Sequence, residues 1–187
     1  MRAFVALVVV LLAGSAACAA RPLHASERAA LARPSADVIA QVGRLTPGVL
    51  ALILSTEANA LARGRPLRAD EIAVARNVGV AAPDRVRVLE ESALPGVDEP
   101  TLAVLIRRLG ASNPRRWGIT ARYGIVFKTR PSKFLLAHEL HHVAQYERLG
   151  VDGFAHRYLT ELLVVGYAQA PLETDANAAA APYKGLP

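Results

Sequence analysis

Residues 132–150 read SKFLLAHELHHVAQYERLG. Ser132 has the side chain of an N-cap. Lys133 to Leu149 contains no helix breaker, and Gly150 suits the residue that ends a helix. The segment is therefore expected to be one helix over 133–149. Within it, His138 and His142 are four residues apart and stack on one face about one turn apart. Leu135 and Gln145 share that stripe. Leu136, Leu140 and Val143 form an adjacent apolar stripe that can face a core, and Glu139 stands next to His138.

The pattern is H-E-x-x-H. Two imidazoles at i and i+4 can coordinate one Zn²⁺ with little distortion of the helix. The intervening Glu139 is then beside the metal without binding it. It can take a proton from a zinc-activated water and later protonate a leaving amine. The competing reading is a histidine-rich surface on an ordinary helix. His141 points away from the His138/His142 stripe and is not expected to be a ligand.

A catalytic zinc site needs a third protein ligand and one open position. The metzincin pattern would place Gly at 145 and His at 148; Gln145 and Arg148 exclude it. Downstream, His156, Glu161, Glu173 and Asp175 remain. Glu161 falls in an expected helix over 154–165, where the alternative is a surface charge. Glu173 lies 31 residues past His142 (173 − 142), in PLETDAN, which opens a new helix. A carboxylate in a first helical turn gains from the helix dipole. The small residues Ala176 and Ala178 to Ala181 allow close packing on the metal helix. Glu173 is therefore preferred as third ligand, with Glu161 as the alternative. Asp175 or Asn177 could hydrogen-bond a ligating histidine.

Working toward the N-terminus, GITARYGIVFK (118–128) alternates and reads as one strand. It places Ile119, Ala121, Tyr123, Ile125 and Phe127 on one face, and Thr120, Arg122, Gly124, Val126 and Lys128 on the other. A second strand is expected over 85–90, and a helix over 101–109 follows the loop LPGVDEP. Farther back, helical periodicity begins at Ser35. Thr46-Pro47 reads as an N-cap with proline at the first helical position, opening a new helix over 47–62. A further helix is expected over 69–78, stopped by Gly79. Residues 21–45 are expected to be a linker or an N-terminal helix, and 46–187 the functional domain.

The first twenty residues, MRAFVALVVVLLAGSAACAA, have the charged start, apolar run and small-residue end of a secretory signal peptide. The run is shorter than the about 20 residues a transmembrane helix needs, so export to the periplasm or beyond is expected, with no stable membrane span. Ala17-Cys18-Ala19 supplies a cleavage site. Cys18 is the only cysteine, and acylation there would make a lipoprotein. Ser15 stands where that signal calls for an apolar residue, so the soluble form is preferred. The mature chain then has no disulfide and no thiolate ligand.

The formal charge is +6, and arginine supplies 19 of the 22 basic residues. They are scattered and not interleaved with aromatic residues, which argues against nucleic acid as partner. A weak attraction to anionic cell-envelope polymers fits this charge.

LLAHELHHVAQ (135–145), with VGVAAPDRVRVL (78–89) upstream, resembles the gluzincins, zinc metallopeptidases whose third ligand is a glutamate on a following helix. More narrowly it is similar to small bacterial metallopeptidase domains with the form L-L-x-H-E-x-x-H-V-x-Q and a later P-x-E-x-x-A. Those positions here are Leu135, Leu136, His138, Glu139, His142, Val143 and Gln145, then Pro171, Glu173 and Ala176. The resemblance spans roughly residues 60–180 and implies a small zincin-like α+β fold. Such a fold would be mostly helical, with a short sheet whose edge strand precedes the HExxH helix and pairs with a peptide substrate. Gluzincins also use a Tyr or His to stabilise the oxyanion. Tyr158, Tyr167 and His156 are available, and Tyr167 is preferred because it lies just before Glu173. The function implied is zinc-dependent hydrolysis of peptide or amide bonds. The alternative is a non-catalytic module, either zinc-stabilised or a basic module that binds the cell envelope.

Overall fold

Residues 65–66, 87–90, 118–121 and 124–127 hydrogen-bond into one mixed sheet in a computed structural model that describes residues 21–92 and 118–186. The leader with Cys18, the loop over 94–100, the helix expected over 101–109 and the arginine pairs at 107–108 and 115–116 lie outside the described residues. The strands are β1 (Arg65–Pro66), β2 (Arg87–Glu90), β3 (Gly118–Ala121) and β4 (Gly124–Phe127). Their spatial order is β1-β2-β4-β3, with β2 and β4 parallel and the outer pairs antiparallel. The helices are α1 (Ala25–Ala32), α2 (Ala36–Arg63), α3 (Ala69–Asn77), α4 (Lys133–Val165) and α5 (Pro171–Ala180). The fold class is α+β, as expected.

The strand expected over 118–128 is a hairpin. Its two-residue turn is Arg122-Tyr123, with Ala121 paired to Gly124 and Thr120 to Ile125. Arg122 takes φ +50°, as the mirror-image turns of tight hairpins require. Glu57 on α2 braces this turn, accepting from the Tyr123 N–H at 3.4 Å and facing the Arg122 guanidinium at 3.5 Å.

The turn inverts the side-chain parity. Paired residues share a face, so Gly118 and Thr120 go with Ile125 and Phe127, while Ile119 and Ala121 go with Gly124 and Val126. The single alternating face read from the sequence is thereby split between two layers. Ile125 and Phe127 join Val88, Leu136, Leu140 and Val143 against α4. Val126 joins Leu89 and Ala60 against α2. All four residues of β4 are buried, so a continuous apolar run replaces alternation, as in strands covered on both faces. Gly124 is required by the α2 layer. A Cβ there would stand 2.8 Å from that of Ala60 and 3.0 Å from the Glu57 Cα.

The helix break expected at Thr46-Pro47 is absent: α2 runs through it, with Pro47 inside. Proline removes one backbone hydrogen bond and crowds the carbonyl four residues back, a cost of about 3 kcal/mol. Here that residue is Gly43, which has no side chain to add to the crowding. Thr46 donates its hydroxyl to the Val42 carbonyl at 2.8 Å. Buried Val42, Leu45 and Ile53 lie on both sides of Pro47, and their packing holds the helix together across it. Among the described residues α2 alone is long and apolar enough to cross a membrane, with mean hydropathy 1.6 over its best window. It lies on the sheet and exposes Ile39, Leu54 and Leu61.

The helix starting at Ser132 forms as expected, with the Leu135 N–H donating to Ser132 Oγ at 3.2 Å. Gly150 has φ +70° and ψ 172°. It breaks α4 into a first arm that carries the histidines and a second arm over 151–165. The expected helix over 69–78 is present as α3 and stops at Gly79, whose φ is +96°.

Candidate metal centre

His138 and His142 face one another from successive turns of the first arm of α4, with their Nε2 atoms 3.2 Å apart. The rings stand nearly perpendicular, at 88°. Glu173, in the first turn of α5, meets both. Its Oε2 is 3.4 Å from His138 Nε2, and its Oε1 is 3.7 Å from His142 Nε2. One ligand atom from each of the three residues falls within 4.8 Å of the others, and all three side chains are buried. This group could hold a metal ion. Glu173 is thus the carboxylate that joins the histidines, as preferred from the sequence.

The hydrogen-bond role of His142 Nδ1 follows from its neighbours. Gln145 is fully buried. Its Nε2 donates to the Leu172 carbonyl at 2.9 Å, and a carbonyl can only accept. The Gln145 Oε1 is therefore the atom that faces His142 Nδ1, at 2.8 Å. That oxygen only accepts as well, so Nδ1 is the donor of this bond and Nε2 is the nitrogen turned into the group, as metal ligation demands. The partner of the candidate ligand His142 is hence Gln145, not Asp175 or Asn177. Both of those are exposed, although Asn177 lines the adjoining cavity. The sequence carried the signal, since Gln145 shares the ligand stripe.

Glu173 is held in place by α4's second arm. Glu161 was read as a surface charge if not a ligand; it is 3% exposed and does neither job. Its Oε2 accepts the Leu172 N–H at 2.8 Å, and its Oε1 pairs with Arg157 at 2.8 Å. It caps the start of α5 from outside that helix, satisfying a backbone donor that the first helical turn leaves open. Burial pushes the Glu161 carboxyl above its ordinary range, against the opposing pull of Arg157 and the Leu172 N–H. Tyr158, one turn before it, donates its hydroxyl to Glu173 Oε1 at 2.6 Å. The small residues Ala176 and Ala180 are fully buried, which lets α5 lie close on α4.

Glu139 is also buried, and it reaches the edge strand. Thr120 Oγ1 lies 2.7 Å from Glu139 Oε2. A Cβ on Gly118 would stand 3.0 Å from Glu139 Oε1 and 2.9 Å from the Phe127 ring. The edge strand thus gives this carboxylate a hydrogen-bond donor at one oxygen and clearance at the other. Neither contact was read from the sequence, because both depend on the parity reversal at the hairpin turn.

His141 is half-buried and bonds through Nδ1 to the Val78 carbonyl at 2.9 Å, fastening α4 to the end of α3. Burial lowers its pKa from the ordinary value. His156 is exposed and stands outside the group. Tyr167 follows α4 in a short 3₁₀ turn over Tyr167–Gln169.

A cavity of about 340 Å³ opens against the group. His138, Glu139, His142, Glu173, Tyr158 and Tyr167 all line it, as do Gly118 to Thr120 of the edge strand. Its other walls come from α2 and from the second arm of α4. No family model, curated protein or solved structure matches this chain.

Proposed function

We propose that this chain is a zinc-dependent hydrolase of peptide or amide bonds, of the gluzincin type. His138, His142 and Glu173 are its metal ligands, and Glu139 is its general base and then acid. The observation that carries the proposal is the third ligand, a carboxylate: Glu173 lies 3.4 Å and 3.7 Å from the two imidazole nitrogens. Two imidazoles and one carboxylate are a donor set suited to catalytic zinc. The inward-facing Nε2 of His142 supports the same assignment.

Bound there, Zn²⁺ supplies Lewis acidity and lowers the pKa of water toward neutrality. Glu139 takes the proton of the attacking water on a carboxylate oxygen and delivers it to the leaving nitrogen. Thr120 holds that carboxylate toward the cavity. Tyr167, which also lines the cavity, is the proposed oxyanion donor. The edge strand β3 lies along the same cavity, so an extended peptide could add to it by main-chain hydrogen bonds. We place the protein outside the cytoplasm on the strength of the leader-like first twenty residues.

Burial of all three ligands is also what a structural metal site would show. The cavity against them favours catalysis over that reading. Purified protein is expected to carry one zinc per chain. Substoichiometric zinc, or zinc unchanged in His142→Ala, would overturn the ligand assignment. Glu139→Gln is expected to keep the metal and abolish hydrolysis of a peptide library; an active Glu139→Gln variant would remove the proposed mechanism.

A further inference from the structure

The cavity beside the metal centre has a character that the centre itself does not require. Val49, Leu52 and Ile53 of α2 form one wall, and Phe154, Leu159 and Leu162 of α4's second arm form another. Tyr146, Phe154 and Tyr158 stack in series, with ring centroids 3.8 Å and 5.5 Å apart, and give the second wall a rigid aromatic surface. The carboxylates among the described lining residues, Glu139 and Glu173, both belong to the centre, and no Lys or Arg is among these residues.

From this we infer that the site accepts a substrate presenting one large apolar side chain, aliphatic or aromatic, beside the scissile amide. That the bound group is a substrate rests on the hydrolase reading; the apolar preference of the cavity does not. A charged side chain or a free terminus entering here would lose its water without a described partner of opposite sign other than the metal centre, which makes its burial unfavourable. A Leu- or Phe-sized group would instead exchange water for apolar contact. The volume, about 340 Å³, lies at the small end of the range for ligand sites, roughly 300–1,000 Å³. It is large enough for one side chain with its adjoining backbone.

The test is binding, read by methyl resonances of the purified protein as isolated. The probes are the N-acetyl amides of Leu, Phe, Gly, Asp and Lys, together with decanamide. Leu and Phe amides are expected to shift the methyls of Val49, Ile53 and Leu159, and to bind at least about tenfold more tightly than the Gly amide, the equivalent of about 1.4 kcal/mol. Asp and Lys amides are expected to bind no better than the Gly amide. Charged amides binding as tightly as the Leu amide, decanamide binding most tightly, or shifts confined to other methyls would each overturn the inference. Ala155→Phe, which fills the cavity, is expected to abolish the Leu and Phe shifts. Because that variant puts a larger side chain into the core, Leu52→Asp at the half-buried rim provides a second arm. It is expected to raise Lys-amide affinity about tenfold, and an unchanged ranking in a folded Leu52→Asp protein would refute the inference. These rankings need no hydrolysis, so they stand or fall separately from zinc content and from the activity of Glu139→Gln.

Discussion

Gln145 Oε1 lies 2.8 Å from His142 Nδ1, and the same amide donates to the carbonyl of Leu172, the residue before Glu173. One buried side chain therefore orients a candidate ligand on α4 and fixes the backbone that carries a candidate ligand on α5. Gln145→Leu removes both bonds at once. Metal affinity is expected to fall about 10- to 100-fold, as for other residues that orient ligating histidines. Stability is expected to fall by about 1–3 kcal/mol for each buried polar group left unpaired. Metal titration and denaturant melts check the two effects; unchanged metal affinity would show that Gln145 serves packing alone.

Thr120 offers its hydroxyl to Glu139 at 2.7 Å. In the proposed reaction, Thr120→Val is expected to lower kcat by about tenfold, corresponding to about 1.4 kcal/mol, with KM and zinc content little changed. Thr120→Ser, which restores the hydroxyl, is expected to recover most of the rate. A Thr120→Val variant as active as the parent would show that the hydrogen bond does not matter.

Much of this site was legible because a helix fixes the angle between residues four apart. His138, Glu139 and His142 needed only the helix, and Ser132 and Gly150 marked its ends. Glu173 was legible from the proline and the small residues around it, which marked a helix start able to pack closely. The contact between Thr120 and Glu139 was not. Its reading requires knowing that the chain reverses at Arg122-Tyr123, and a single arginine at φ +50° leaves no glycine or asparagine signature at that position. Pro47 misled for a related reason. Local chemistry favours a helix start there, and the packing of Val42, Leu45 and Ile53 overrides it.

Glu161 accepts the Leu172 N–H and pairs with Arg157. Glu161→Ala leaves the start of α5 uncapped and is expected to cost about 1–2 kcal/mol, as for loss of other helix caps. Metal affinity should weaken with it, because Glu173 lies one residue beyond the capped N–H. Calorimetric melts with and without added zinc check this. A variant as stable as the parent would show that α5 is held by its alanine contacts instead.

Acid should weaken the opposite end of the sheet. Burial alone would raise the Glu71 carboxyl, but the Arg65 side chain and the Arg68 N–H hold it below its ordinary value of 4.5. The Arg65 bonds are 2.7 Å and 2.9 Å, and the backbone bond is 2.8 Å. The folded state thus binds this proton less readily than the unfolded chain. Its stabilisation is complete above pH 4.5 and is lost as pH falls through the lowered value. Glu71→Gln is expected to cost about 1–3 kcal/mol at pH 7 and progressively less in acid. Parallel melts at pH 7 and pH 3 measure the difference, and a constant penalty across that range would contradict the assignment.

The break at Gly150 has a consequence for how the centre comes together. By turning one long helix back on itself, it keeps Thr120, both histidines, Gln145, Tyr158, Glu161 and Glu173 within a single stretch of 54 residues (173 − 120 + 1). The loop that must close to bring Glu173 to His142 is short, and closure entropy grows only with the logarithm of loop length. Contacts this local are of the kind that form quickly. The polar heart of the molecule can therefore assemble as a nearly self-contained segment, with α2 arriving from a distant part of the chain to wall the cavity.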